Sequence, residues 1–238
     1  MQHHEALFRA LRILDNSPRW LWNYLRETGS FPAQIGIVTP TGTVRPWLYH
    51  AHDLVTVIGI FCREDYRASR SIQVIVDVGS NIGLSALYFL TRNSHCRCYL
   101  YEPVPRNLRR MRRNLEAYEK RYRVEAAAVS DEGGIVDFGT EETGIYGSIG
   151  GSIGNTIRVR CLDINDVLES CLQHESRIDI LKIDIEGWEL RVLRAIRPEF
   201  FTRIDTIYVE AVPEGLPFPV PYHGKLRGGV WRLSSPKV

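Results

Sequence analysis

A chain of 238 residues with 44% hydrophobic and 24% charged side chains has an ordinary globular composition, enough for one sizeable α/β core and a small appendage. Its formal net charge of +2 gives no general case for binding nucleic acid or an anionic membrane, and its longest apolar run, residues 54–62, is interrupted by Thr56 and Gly59 and too short to span a bilayer. No charged segment followed by an apolar one opens the chain as a signal peptide would. The cysteines at 62, 96, 98, 161 and 171 are odd in number and include no C-x-x-C pair. They read as reduced thiols of a cytoplasmic protein, since Cys96 and Cys98 lack a second Cys/His pair at zinc-site spacing.

Residues 5–27 show helical spacing. Leu7, Ala10, Leu11 and Leu14 lead, and Trp20, Tyr24 and Leu25 continue after Ser17-Pro18, so two helices meeting at that proline are expected. They would cap the main domain or make a dimer contact, which leaves a homo-oligomer open. GIVTPTGTVRP, within residues 31–50, reads as a β-hairpin turning at Pro40-Thr41-Gly42. Residues 53–66 read as helix leading into the first core strand. Residues 1–70 are therefore expected to form an N-terminal helical and hairpin appendage, a lid on the substrate side, and residues 71–238 the main domain.

The main domain opens with IVDVGSNIG, residues 75–83: a strand, a glycine turn and a helix start, where an open α/β sheet takes a nucleotide-like ligand. The G-x-G-x-x-G spacing of a dinucleotide site is missing, because Asn81 stands at the middle glycine. Asp77, two residues before Gly79, would repel a phosphate from the turn and attract an ammonium or sulfonium. Such a turn favours a cationic, amino-acid-bearing nucleoside, S-adenosyl-L-methionine (SAM). Strand and helix then alternate. Strands are expected at 96–101, 124–129, 133–140, 157–161, 178–185 and 206–212, and helices from 84, at 106–120, at 163–172 and at 188–196, with one more strand around Val230-Trp231-Arg232. Repeated β-α units of this length predict a Rossmann-like, doubly wound, mostly parallel sheet. The arginines at 109, 110, 112 and 113 read as the solvated face of an outer helix. The glycine-rich loop 143–154 reads equally as a closing lid or a long hairpin connection.

Carboxylates fall at four expected strand ends, the edge where such sheets bind ligands: Asp77, then Glu102, then Asp184 with Glu186, then Glu210. Glu102 lies 25 residues after Asp77, close to the spacing at which an acid takes the ribose hydroxyls. Asp184 could instead cap the helix that follows it.

Taken together, IVDVGSNIG, YEPVPRN, AAAVSD, CLDINDVL, LKIDIEGWELRVL and IYVE, with VRPWLYHAHD and REDY before the first strand, resemble the SAM-dependent methyltransferases of the FkbM family. The resemblance spans about residues 43–212, and K-I-D-x-E-G-x-E is its most specific block. It implies a class I methyltransferase fold, SAM as methyl donor, and O-methylation of a hydroxyl on a sugar or natural-product scaffold. By position, Asp77, Gly79, Ser80, Asn81 and Gly83 correspond to the SAM-binding turn, Glu102 to the ribose-binding acid, and Lys182, Asp184 and Glu186 to the fourth-strand signature. Ser80 replaces the family's frequent alanine. The short, proline-rich stretch after Glu210 implies a trimmed last strand pair.

A hydroxyl attacks a methyl sulfonium well only if its proton leaves, so a positioned base or a metal is expected. Asp184 is the first candidate base, with Glu186 and Glu210 next and Lys182 as its ion-pair partner. His223 is a weaker candidate base. A divalent metal is left open; if present, Asp184 and Glu210 would hold it. The expected acceptor is a small-molecule or glycan hydroxyl, with no nucleic acid and no membrane span. The rivals are an RNA methyltransferase, which the arginine-rich helix favours but no N-P-P-Y-type signature supports, and a non-catalytic SAM-fold interaction protein. The missing G-x-G-x-x-G weighs against a nicotinamide oxidoreductase.

Overall fold

The computed structural model describes residues 2–141, 147–151, 154–210 and 222–235. Its centre is a seven-stranded sheet built on β5 (Val74–Val78), β6 (Arg97–Tyr101), β7 (Tyr122–Glu125), β12 (Ile178–Ile183), β13 (Ile204–Val209), β14 (His223–Arg227) and β15 (Val230–Ser234). In space the order is β14-β15-β13-β12-β5-β6-β7. The five from β13 to β7 pair in parallel, and β15 runs antiparallel to both β13 and β14. Strand order reverses between β5 and β12, so their carboxyl ends open a crevice. The expectation of a trimmed last pair is corrected: β14 and β15 are both present. Their polar, exposed β14 sequence HGKLR carries no apolar alternation by which a reading of the chain would find it.

Before the sheet come α1 (Gln2–Ile13), α2 (Ser17–Arg26), two short strand pairs, β1 (Ala33–Gln34) with β4 (Trp47–Leu48) and β2 (Ile37–Thr39) with β3 (Gly42–Val44), and then α3 (Ala51–Val57). The hairpin falls as expected, with Thr39 opposite Gly42. The helical break is set by Asn16, in the left-handed region at φ 43°, with Pro18 in the first turn of α2. Helix α3 runs on as a π-helical turn, Ile58–Arg63; such turns gather at functional sites. Ala6, Ala10 and Leu14 of this appendage share one buried cluster with Ile75 and Tyr208 of the sheet and with α4 (Leu84–Leu90) and α5 (Pro105–Asn114). The opposite sheet face, through Val74, Val76 and Val78, packs on α6 (Ile164–Leu172), α7 (Glu189–Ala195) and α8 (Pro198–Phe201).

The expected strand 124–129 divides. Tyr122–Glu125 closes the main sheet, and β8 (Ala128–Ser130) joins a second sheet, ordered β10-β9-β11-β8, with β9 (Gly134–Thr140), β10 (Gly147–Ile149) and β11 (Asn155–Asp163). The long helix expected at 106–120 ends at Asn114, whose carboxamide donates to the carbonyls of Trp47 and Ile82, and a 3-10 turn follows. Two of the arginines on α5 turn inward to the appendage: Arg110 lies 4.2 Å over the Tyr49 ring and Arg113 3.8 Å over Trp47. That use of guanidinium faces as packing leaves the run less of a free basic stripe than its sequence suggests. All five cysteines are buried and free. No helix among the described residues is long and apolar enough to cross a membrane.

Candidate active site

The carboxyl ends of β5, β6, β12 and β13 open into a cavity of about 390 Å³ that also touches the appendage, the second sheet and the β14–β15 turn. The first wall is the glycine turn. The amides of Gly79 and Ser80 both donate to the Tyr101 carbonyl at 3.0 Å, fixing the turn to the end of β6. Gly79 has φ +83°, and a Cβ there would collide with the Asp184 carbonyl oxygen, so glycine lets β5 and β12 close together beneath the site. Asn81, at φ 48°, tolerates the left-handed region as few other residues do. The Ser80 hydroxyl donates to the Asp77 carbonyl (2.7 Å) and accepts from the Tyr101 amide (3.3 Å), so this serine stitches the turn. Gly83 starts α4 against Met111 of α5 and Leu115 just past its end, behind the wall.

Glu102 stands opposite, buried. Its Oε2 accepts from the Asn81 amide at 2.9 Å; its Oε1 accepts from the Val104 amide at 2.9 Å and the Asn107 side chain at 3.3 Å. Burial nevertheless dominates, and pushes this carboxyl up to about 7 against those donors. Oε2 keeps a lone pair for a ligand hydroxyl, whereas both lone pairs of Oε1 are already engaged. Ala128 and Phe138 of the second sheet supply an apolar face nearby.

The charged end is organised by Lys182, which register sets beside Asp77. Lys182 is 2% exposed and Asp77 fully buried, with Nζ 3.0 Å from Asp77 Oδ1, 3.2 Å from Asp184 Oδ2 and 3.1 Å from the Gly79 carbonyl oxygen. Burial alone would depress this ammonium, but Asp184 and Asp77 outweigh it and hold its pKa above the ordinary lysine value. Asp77 also accepts from the Ser85 hydroxyl at 2.6 Å. The Tyr66 hydroxyl reaches Asp184 Oδ2 at 3.1 Å and Glu210 Oε1 at 3.2 Å, and burial followed by those carboxylates raises its pKa well above 10. Desolvation and the neighbouring Asp184 raise Glu210 to about 7. Glu186 sits in the left-handed region at φ 50°, and its pKa is raised by burial and by Asp184. The turn holding it is clamped by Glu189, which accepts from the amides of Ile185 (3.1 Å) and Gly187 (2.9 Å). Glu189, not Asp184, thus caps this turn.

The FkbM methyltransferase domain family matches residues 77–228, more than half of the chain and all of the strand ends just described. This chain belongs to the FkbM methyltransferase family. Methyltransferase 1 of Beauveria bassiana (strain ARSEF 2860) is 25% identical over 165 residues, covering 57% of this chain and 63% of that protein; the match thus spans less than two thirds of the relative. Among solved structures, a methyltransferase from Geobacter sulfurreducens is 16% identical at a TM-score of 0.41, covering 70% of this chain and 72% of that one. The human methyltransferase 10 domain containing protein is 14% identical at a TM-score of 0.40, covering 69% and 72%.

In this member of the FkbM methyltransferase domain family, Gly79, Ser80, Asn81, Glu102, Lys182, Asp184, Glu186 and Glu210 all line the same cavity. Asp77 does not. Its carboxylate lies behind the turn, turned to Lys182 and Ser85, because its strand parity and register with Lys182 point it into the sheet's buried face; the expectation that it points into the turn is corrected. His223 is exposed on β14 and absent from the lining. The Asp184–Glu210 pair is poorly suited to a divalent ion. The Lys182 ammonium already sits on Asp184 Oδ2, the Tyr66 hydroxyl lies between the two carboxylates, and no group of three or more His, Cys, Asp or Glu positioned to hold a metal occurs among the described residues. Tyr66 closes the REDY segment, but nothing local tied it to the site: it lies 118 residues from Asp184. Of the loop 143–154, residues 143–146 and 152–153 lie outside the described residues; Gly147 and Ile149 border the cavity.

Proposed function

We propose that this methyltransferase is a SAM-dependent O-methyltransferase acting on a hydroxyl of a sugar or natural-product acceptor, in the cytoplasm. The observation that supports it most is one cavity joining a glycine turn and a buried ribose-type acid, Glu102, to a carboxylate-rich end at Asp184, Glu186 and Glu210. In this reading Gly79, Ser80 and Asn81 cradle the cofactor's amino-acid end, and Glu102 accepts from its ribose hydroxyls. The apolar Ala128 and Phe138 suit an adenine face. Bound SAM supplies an electrophilic methyl group. The chain's part is alignment, exclusion of water and removal of one proton. Glu210 and Asp184, tied together through Tyr66, are the groups that take that proton, and Lys182 holds Asp184 in place. Asp77 acts from behind through Lys182. The π-helical turn, with Gly59, Ile60 and Arg63 in the cavity wall, supports reading residues 1–70 as a lid on the substrate side.

The test is transfer of labelled methyl from SAM to a panel of hydroxyl compounds, with an RNA oligonucleotide in parallel. Label on a hydroxyl compound and not on RNA supports this reading; label on RNA alone replaces it with the RNA methyltransferase.

A further inference from the structure

The charges around the cavity carry a consequence for the acceptor. The acceptor end presents Asp184, Glu186 and Glu210, drawn from the ends of β12 and β13. Among the described residues, the basic side chains lining the cavity are Lys182, Arg63 and His52. Lys182 is held by two carboxylates, and Arg63 is paired with Asp65 through bonds of 2.7 and 2.5 Å. That pair is wedged under Gly228 of the C-terminal turn, where no side chain would fit, so Arg63 is not free to swing toward a ligand. His52 has contacts of its own.

An anion at the acceptor position would therefore face carboxylates without a cation to pair with, which is costly in a partly desolvated cavity. The cofactor's own amino-acid carboxylate escapes this because its α-ammonium balances it, and its sulfonium adds a positive charge. We propose, resting on the cofactor reading above, that the site takes hydroxyl acceptors that are neutral or bear an ammonium group near the reacting oxygen. It rejects those carrying a phosphate or carboxylate there. Neutral polyols and amino sugars fit; sugar phosphates, uronates and RNA do not. The carboxylates that accept hydrogen bonds from a polyol are the same groups that repel an anion.

A binding experiment tests this without the natural acceptor. Stable cofactor analogues are made in which nitrogen replaces the sulfur and carries a three-carbon tail ending in a hydroxyl, an ammonium or a carboxylate. Their affinities, and that of S-adenosylhomocysteine (SAH), are measured by calorimetry on the full chain. The expected result is that the hydroxyl and ammonium tails bind at least tenfold more tightly than the carboxylate tail. The Glu186→Gln/Glu210→Gln variant, checked for an unchanged circular dichroism spectrum and with each tail's affinity expressed relative to the variant's own SAH affinity, narrows that gap to threefold or less. A carboxylate tail that binds as tightly as the hydroxyl tail overturns the inference, as does a gap that persists in the double variant. Failure of SAH itself to bind is a separate outcome, which removes the cofactor reading and the inference with it.

Discussion

Lys182→Met is the most informative single perturbation of this fold. The lysine's 2% exposure and its distances of 3.0 Å to Asp77, 3.2 Å to Asp184 and 3.1 Å to the Gly79 carbonyl oxygen mean that three oxygens converge on one buried cation. At an effective dielectric of about 20, each ion pair near 3 Å is worth roughly 5 kcal/mol of Coulomb energy, much of it offset by desolvation of the ammonium. Removing one partner of such a buried pair typically costs about 3–5 kcal/mol, because the other charge is left uncompensated. Against a domain stability of about 5–15 kcal/mol, that leaves Lys182→Met folded but marginal. Urea unfolding followed by circular dichroism measures it. Asp77→Asn in the Lys182→Met background should recover about half of the loss, a positive coupling in the double-mutant cycle. A loss below about 1 kcal/mol, or a cycle that is simply additive, refutes Lys182 as the organiser of the site.

Gly79→Ala forces a Cβ onto the Asp184 carbonyl at φ +83°; it should destabilise the fold by about 2 kcal/mol or more and weaken SAH at least tenfold, read by thermal unfolding and calorimetry. Glu102, raised from 4.5 to about 7 by burial, holds a proton in the folded chain that the unfolded chain has lost across that window. Its stability contribution is full below pH 4.5 and lost by about pH 7, roughly 3 kcal/mol, and Glu102→Gln should remove this slope. SAH affinity should run the other way, rising with pH as the carboxylate ionises. Tyr66→Phe keeps the ring on Tyr208 and Phe89 but removes the bridge to Asp184 and Glu210; it should cost about 1–2 kcal/mol in urea unfolding with SAH affinity unchanged within twofold.

The parts of the fold that show in the chain are those with local, one-dimensional signals. The run Val74–Val78 into Gly79 announces a buried strand and a turn, and Glu102 announces itself by ending an apolar strand before a proline. The K-I-D-x-E-G-x-E block marks Lys182, Asp184 and Glu186, although the role of its last glutamate, clamping the Ile185 and Gly187 amides, needs the turn in three dimensions. What stays hidden is set by distant pairing. Tyr66 follows a helix exit and gains its partners only when β12 and β13 arrive behind it. Asp77 sits at the right place along its strand for a ligand contact, but its side chain is turned toward Lys182 by a cross-strand register that no local pattern reveals. Of the last pair, β15 shows in the run Val230-Trp231-Arg232, whereas the exposed edge strand β14 carries no apolar alternation and stays hidden.

The central claim is that this cavity binds the methyl donor through Glu102. Calorimetry of SAM and SAH with the wild type and with Glu102→Ala tests it most directly. The expected result is micromolar binding by the wild type and a loss of tenfold or more, about 1.4 kcal/mol, in a variant whose circular dichroism spectrum is unchanged. Wild-type protein that binds neither ligand, or a Glu102→Ala variant that binds both as well as wild type, contradicts it.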